Sequence, residues 1–462
     1  MPRTLDRSDG RGASCWSGPV RLGLATSAWV AWLITPATMG GESAGGKEPP
    51  TFSKDFAPIL QERCTKCHRP GQVGPFPLET YEQARKRAAD IASVVGERVM
   101  PPWKPAPGIG PPLKHDQSLS REQIAILEAW AQAGAPRGDP KDMPPPPRFS
   151  EDWKLGTPDL VLEPAEDFTV PASGADVYRC FVVPTNLTRD TYISAIDFRP
   201  GNRRVVHHIS AYLDTSGVAR ERDKAEEGPG YVSFSGPGIP IYEELCFWNA
   251  GHEPSHLPKG IGLCLPRQSD VILQIHYHPS GKREVDRTRI GVYFSREPVK
   301  QALHWNSASN YEFRFEPGNS DTVVEGTWFV PTDVEALAVS PHMHLLGREM
   351  RMSVTYPDGH TIDLISIPSW DPAWQNTYYF QKPISLPKGS VVKAVAHFDN
   401  SAHSRNPNRP PKPVTWGHSV KDEMCDGFIA VVKKGQDLVR HPANDELHEM
   451  FAKQKFRAWQ KI

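Results

Sequence analysis

Two kinds of residue cluster in this chain could do redox chemistry. The first is Cys64-Thr65-Lys66-Cys67-His68, a pair of thiols followed at once by a histidine. Thiols at this spacing add to the two vinyl groups of a porphyrin, and the next histidine reaches its iron, the attachment pattern of a c-type haem. A redox dithiol or half of a zinc site would use the thiols without needing His68. The second kind is paired histidines: His207-His208, His276 with His278, and His342 with His344. On an extended strand, residues i and i+2 project from one face, so His342 and His344 make half of a site for a borderline transition metal. By the same alternation Gln274, His276 and His278 share a face. Adjacent His207 and His208 point apart on a regular strand and can share a metal only near a strand end or a bulge. For each pair the plain alternative is one histidine bonded in a core and the other in solvent.

Further ligands can be sought around these groups. Met100, in Arg98-Val99-Met100-Pro101-Pro102-Trp103, is the candidate second axial ligand of the haem, with His115 as its rival. A thioether raises the haem potential into a range suited to electron transfer, and the prolines stiffen the loop. Methionine as core filler is the alternative. Imidazoles joined by a thioether suit copper, cycling between Cu(II) and Cu(I), better than zinc. Met424, in Asp422-Glu423-Met424-Cys425-Asp426, offers that thioether, but spacing does not separate it from Met343, Met350 or Met352.

The elements that must position these residues divide the chain. Its 462 residues suggest about three domains. Residues 1–45 read as an export signal and leader: Arg3, Arg7, Arg11 and Arg21 precede the apolar run Leu22–Ile34, which Thr26 and Ser27 interrupt. Cleavage is expected, with an uncleaved membrane anchor as the alternative, so the chain belongs in a periplasmic or extracellular space. Residues 50–138 read as a small all-α domain. Phe56, Ile59 and Leu60 form an apolar face, Tyr81–Val95 is helical in pattern, and Ser120–Ala133 is an amphipathic helix with a Ser120/Gln123 capping box and Gly134 as its stop. The whole resembles a compact cytochrome c. Residues 139–158 form a Pro-rich linker, including Pro144-Pro145-Pro146-Pro147, that reads as a semi-rigid spacer.

Short β-rich runs divided by turn residues follow, the pattern of antiparallel sandwiches. The first set, over residues 159–300, comprises Val177–Val183, Thr191–Phe198, Val205–Leu213, Val271–His278 and Ile290–Phe294. The second, over 301–437, comprises Thr322–Val330, Val334–Val339, Met350–Tyr356, Ser390–His397 and Phe428–Val432. The residues between Phe294 and Arg314 read as a connector, and 438–462 as a tail with a short basic helix. The net charge of −1 with no sustained basic block argues against a nucleic-acid partner. Of 7 cysteines, Cys15 falls in the leader and Cys64 and Cys67 in the haem motif. Cys180, Cys246, Cys264 and Cys425 remain for disulfides in an oxidising space, with Cys246–Cys264 the first expectation because it closes a local loop.

Four motifs occur in a telling order: His207-His208; Leu273-Gln274-Ile275-His276-Tyr277; His342-Met343-His344 with Leu346-Gly347; and Asp422-Glu423-Met424-Cys425. Leu257-Pro258-Lys259-Gly260-Ile261-Gly262 precedes the second of them. In this, residues 160 to 435 resemble the copper type II, ascorbate-dependent monooxygenases, the family of peptidylglycine α-hydroxylating and dopamine β-monooxygenases. The resemblance implies two jelly-roll-like sandwiches, each with one copper, facing across a solvent-filled cleft. It implies His207, His208 and His276 as ligands of an electron-transfer copper, and His342, His344 and Met424 as ligands of an oxygen-activating one. His278 then becomes a bystander or a support. The chemistry implied is O2-dependent hydroxylation of a C–H bond.

This chain also departs from the amidating enzymes. Ser340 stands where they carry a basic residue, and Asp426 and Phe428 stand where an amide and a phenol meet their peptide carboxylate. A glycine-extended peptide is therefore not the expected substrate. No partner for Cys425 is evident in the matching strand, Lys393-Ala394-Val395-Ala396-His397. The expectation is a haem- and copper-dependent oxidoreductase taking electrons from an ascorbate-like reductant or a redox protein, with its haem feeding the copper sites. The alternative class is a non-enzymatic copper-binding electron carrier or copper-handling protein.

Overall fold

The computed structural model describes residues 48–459 apart from 150–152, 235, 250 and 404. The expected export segment and Cys15 lie outside the described residues. Among the described residues no helix is long and apolar enough to cross a membrane. Residues from Pro49 onward form one unit, mostly β-sandwich with few helices.

The helical segment is built from short pieces: Phe52–Phe56, Ala57–Arg63, Tyr81–Lys86, Ala88–Gly96 and Arg121–Gln132. Phe56, Leu60, Ile91, Leu127 and Trp130 close its core, with Phe56 and Trp130 ring centres 3.9 Å apart. Ser120 and Gln123 form the reciprocal capping box. The patterned run Tyr81–Val95 is two helices broken at Arg87. The end of the helical segment packs back before the linker begins, since Phe52 N donates to Pro136 O at 2.9 Å and Trp130 Nε1 to the same carbonyl at 3.0 Å. The segment after Met100 then fastens the helices to the second sandwich. Lys114 N donates to Tyr379 O, Gln381 N to Pro112 O and Ala106 N to Ser366 O, each at 2.8 Å.

In the first sandwich a five-stranded sheet runs Tyr231–Val232, Val177–Pro184, Asp270–Tyr277, Val206–Asp214, Glu243–Asn249. Its central strand, Asp270–Tyr277, is buried along its whole length, which explains its near-continuous apolar sequence. The opposing layer, with Thr191–Arg199, Ile261–Leu265 and Arg289–Phe294, continues into the second sandwich as one twelve-stranded sheet.

The join is Gln301–Asn310, within the stretch read above as a connector. It is a strand: it pairs in parallel with Ile261–Gly262 and antiparallel over eight positions with Cys425–Lys433. His304, Asn306 and the serines interrupt its apolar alternation, so period 2 is missing although Ala302, Leu303, Trp305 and Ala308 are buried. Strands Glu243–Asn249, Thr361–Ile367 and Tyr378–Leu386 were likewise not expected. The expected disulfides are not formed either. Cys180, Cys246, Cys264 and Cys425 are free thiols, and Cys246 and Cys264 lie on strands of different sheets. Burial pushes both of the latter thiols up to about 12.

The C-terminal helix Glu446–Trp459 is tied down through a buried histidine. His304 donates from Nδ1 to Glu243 at 3.0 Å and from Nε2 to Asp445 at 2.9 Å. Burial alone would lower its pKa, but the bonds to Asp445 and Glu243 outweigh burial and raise it from 6.5 to about 9. The stabilisation is therefore whole below pH 6.5 and is lost as pH rises through about 9. His304→Gln should cost about 3–5 kcal/mol at neutral pH, the usual penalty for leaving buried carboxylates unpaired. The decline in melting temperature between neutrality and pH 9, followed by scanning calorimetry, should be shallower in that variant.

Candidate metal centres

His207, His208 and His276 come together in the first sandwich, each offering one ring nitrogen within 4.8 Å of the others. His208 and His276 are direct cross-strand partners with their Nδ1 atoms 3.2 Å apart. The pairing slips between Val206 and His208. That bulge releases His207 from strict alternation and lets it join its neighbour. Asp176 accepts from His276 Nε2 at 2.7 Å. A carboxylate can only accept, so the proton sits on Nε2 and the Nδ1 lone pair faces the other rings. His207 Nδ1 is buried without a partner. Burial pushes His207 down to about 4 and His208 well below its ordinary value. Both are neutral imidazoles, the form that binds metal. His278 stands apart: exposed, it donates from Nδ1 to the other oxygen of Asp176 at 2.8 Å.

The second group lies at the end of the strand Val334–His342. His344 falls just beyond that strand rather than on it, with its ring centre 5.3 Å from that of His342. His342 Nδ1 donates to Gln375 Oε1 at 2.5 Å and His344 Nδ1 to Asp422 O at 3.0 Å. Each bond leaves Nε2 as the lone-pair nitrogen, and that of His344 is buried with no partner. Burial takes His342 to about 4 and His344 to about 3. Met343, Met350 and Met352 pack in the sandwich core, whereas Met424 shares a cavity wall with His342 and His344. The motif reading gave no role to Glu423, which fastens this group. Its buried carboxylate accepts the amides of His344 at 2.8 Å, Leu346 at 2.5 Å and Met424 at 3.4 Å. Gln375 and Asp176 were also missed, because each lies far in sequence from the histidine it orients.

One cavity of about 740 Å³ is lined by His208, His342, His344 and Met424 together. Aromatic rings connect its two sides. Tyr178 stacks on His276 at 4.2 Å, Phe234 meets Tyr178 at 4.6 Å, and Phe234 meets His344 at 5.2 Å. Gln274 holds the loop of Phe234 by donating to the carbonyls of Ser233, Phe234 and Gly236.

In the helical segment, His68 Nδ1 donates to Phe76 O at 3.0 Å and leaves Nε2 free. Gly74 lies so close that a Cβ there would stand 2.6 Å from Cys67 O and 2.9 Å from His68 Nδ1. Burial raises both thiols, Cys64 to about 12, the opposite of an activated redox dithiol. Met100 follows the helix Ala88–Gly96, its amide bonded to Val94 O. A cavity of about 90 Å³ beside Cys67 is lined by Pro101, Trp103, His115, His252 and Trp374, but not by Met100.

Residues 326–439 match the family model of the copper type II ascorbate-dependent monooxygenase C-terminal domain. That match covers the second histidine group and Met424. No curated protein matches the chain. Similar solved structures include the infectious bursal disease virus VP2 subviral particle, at 9% identity over 63% of this chain and 75% of that one, with a TM-score of 0.18. PNGF-II aligns at 10% identity over 59% of this chain and 65% of its own, TM-score 0.28. The major capsid protein P2 of bacteriophage PM2 aligns at 8% identity over 60% and 99%, TM-score 0.24. Scores this low carry no argument for this chain.

The donor sets fit copper. Three imidazoles, and two imidazoles beside a buried thioether, are ligands that accept both Cu(II) and Cu(I). His276, His342 and His344 each tie their other nitrogen to an acceptor, as metal-binding histidines do. Asp176→Asn should weaken copper binding at the three-histidine group by about 10–100-fold. His278→Ala should change it little. Competition with a copper(I) chelator, in a Met424→Ala background, reads this group apart from the other.

Proposed function

We propose that this chain is an exported copper monooxygenase that hydroxylates a C–H bond with O2, its helical segment carrying a c-type haem as electron source. The observation that carries the reading is that His208 of the first histidine set lines one cavity together with His342, His344 and Met424. The match of residues 326–439 supports copper chemistry at the second set. His207, His208 and His276 would hold one copper and His342, His344 and Met424 the other. When bound, copper supplies one-electron redox chemistry and the activation of O2. Cys64, Cys67 and His68, with Met100 as the sixth ligand, would hold the haem, which supplies stored electrons.

The chain's own residues do the rest. Asp176, Gln375 and the Asp422 carbonyl hold ring protons away from the lone pairs that must face the metal. Glu423 sets the spacing of His344 and Met424 by gripping both backbones. The aromatic walls keep bulk water from the reacting carbon. Inserting one oxygen atom into a C–H bond consumes two electrons and two protons besides O2, and leaves the other oxygen as water. Those electrons come from an ascorbate-like reductant or a redox protein, through the haem in this reading. Ser340 is buried and donates to Asn376 O at 3.2 Å, so no cation stands there to receive a peptide carboxylate.

Two measurements test the reading. Cys67→Ser should abolish covalently attached haem in the pyridine haemochrome spectrum while copper binding is kept. In copper-loaded protein whose haem has been reduced anaerobically, admitted O2 should reoxidise the haem faster than in Met424→Ala, with labelled oxygen entering the product. Equal reoxidation in the two proteins would remove the coupling between haem and copper. Reversible copper redox cycling without an oxygenated product would favour the electron-carrier class instead.

A further inference from the structure

The Cys64-to-His68 motif lies against the first sandwich as well as the second. Cys67 Sγ packs on Gly251, where an added Cβ would stand 3.5 Å from the sulfur. Gly251 follows Asn249 by two residues, and Asn249 is the cross-strand partner of His208. Glu253 holds this approach, meeting Lys66 of the motif at 3.7 Å and Lys154 at 3.1 Å. From the second sandwich Trp374 reaches the same place, lining with Cys67 the cavity of about 90 Å³. On its other side Trp374 meets the ring of His207, with centres 6.2 Å apart. Among the described residues that line the large cavity Trp374 is absent. The indole therefore stands between the motif and the first histidine set, away from the second.

Both ends of this contact fit the groups they would hold. His68 keeps its Nε2 lone pair free by donating from Nδ1 to Phe76 O, and Gly74 leaves room beside that ring. His207 Nδ1 is buried without a partner. We propose that Trp374 is the residue across which electrons pass from the haem to the first histidine set, so that reduction enters the copper sites at His207. This assignment deepens the proposed function and rests on the haem and copper of that reading. The step moves one electron: ferrous haem becomes ferric and Cu(II) at the first set becomes Cu(I). No proton is transferred, and the indole is crossed rather than oxidised. Three imidazoles accept both copper states without a change of ligand. A packed ring serves this better than water in the same space, because its π-orbitals span the gap and its position is fixed.

The test reads electron transfer in the haem- and copper-loaded full chain, fully oxidised, without O2 or substrate. A laser flash on deazaflavin reduces the haem, whose α-band is then followed together with the Cu(II) electron paramagnetic resonance signal. In the unsubstituted protein the reduced-haem band should decay as the Cu(II) signal falls, electron for electron. Trp374→Leu should lose this phase with haem and copper content kept, and Trp374→Phe, which keeps a ring, should restore it. Trp103→Leu removes another aromatic wall of the small cavity and should keep the phase. A phase kept in Trp374→Leu, not restored in Trp374→Phe, or lost equally in Trp103→Leu would overturn the assignment. Should Trp374→Leu fail to fold, spin relaxation in the unsubstituted protein decides. Ferric haem should speed the relaxation of Cu(II) at the first set, and a rate equal to that of haem-free Cys67→Ser would overturn the assignment. Absence of bound haem or copper would instead refute the proposed function, and this assignment with it.

Discussion

The buried carboxylate of Glu423 is the interaction on which the second histidine group depends. His344 and Met424 are far apart in the chain, and neither lies inside a regular strand at its working atom. The Glu423 oxygens bridge that gap by accepting amides from both segments. Burial opposes this arrangement, and it pushes the carboxyl up to about 8 even though three amides favour its charge. The fold tolerates so poor a location because the strands on either side are already in register. Val334–His342 and Cys425–Lys433 pair along their length, placing His342 opposite Asp426. The sheet brings the two segments near, and the carboxylate sets their spacing.

The same division of labour explains what the sequence revealed. Among the described residues, periodicity of apolar residues exposed ten of the 21 strands, most of the longer ones, because a half-buried strand must alternate. It missed Gln301–Asn310, where burial on both faces and polar residues within the sheet remove the alternation. The histidine groups were legible because imidazoles are rare enough in apolar strands to stand out in pairs. Their proximity was legible only through the family resemblance and not from spacing, since cross-strand register is decided by turns and bulges that composition does not encode. The slip at Val206 is the clearest case: regular alternation predicts His207 and His208 on opposite faces, and one irregularity in pairing reverses that. The supporting groups, Asp176, Gln375 and Glu423, carry no signature at all. Carboxylates and amides are common, and only the folded geometry shows which of them orients an imidazole.

The Pro-rich linker teaches a related lesson. Its composition reads as a spacer that holds the helical segment off the sandwiches. Backbone bonds from Ala106, Lys114 and Gln381 instead dock that segment directly on the second sandwich, and Trp103 meets Tyr378 edge to face at 5.3 Å. Gly110 permits the approach, since a Cβ there would stand 2.5 Å from Leu364 O. A stiff connection limits distance only when nothing else does. Here surface contact sets the geometry, and the linker merely closes the chain.

That docking gives one short stretch an unusual set of neighbours. Trp374 lines the cavity beside Cys67, and its ring centre lies 6.2 Å from that of His207. Gln375, next in sequence, orients His342. Asn376 accepts from Asn249 at 2.6 Å, and Asn249 is the cross-strand partner of His208. Three consecutive residues of the second sandwich thus touch the surroundings of the Cys-x-x-Cys-His motif and of both histidine sets. A backbone displacement at 374 would carry with it Gln375, whose amide holds His342. The buried Asn249 amide opposes such a shift from the first sandwich. The three groups are consequently held as one assembly, and their separations are a property of the fold rather than of a flexible tether.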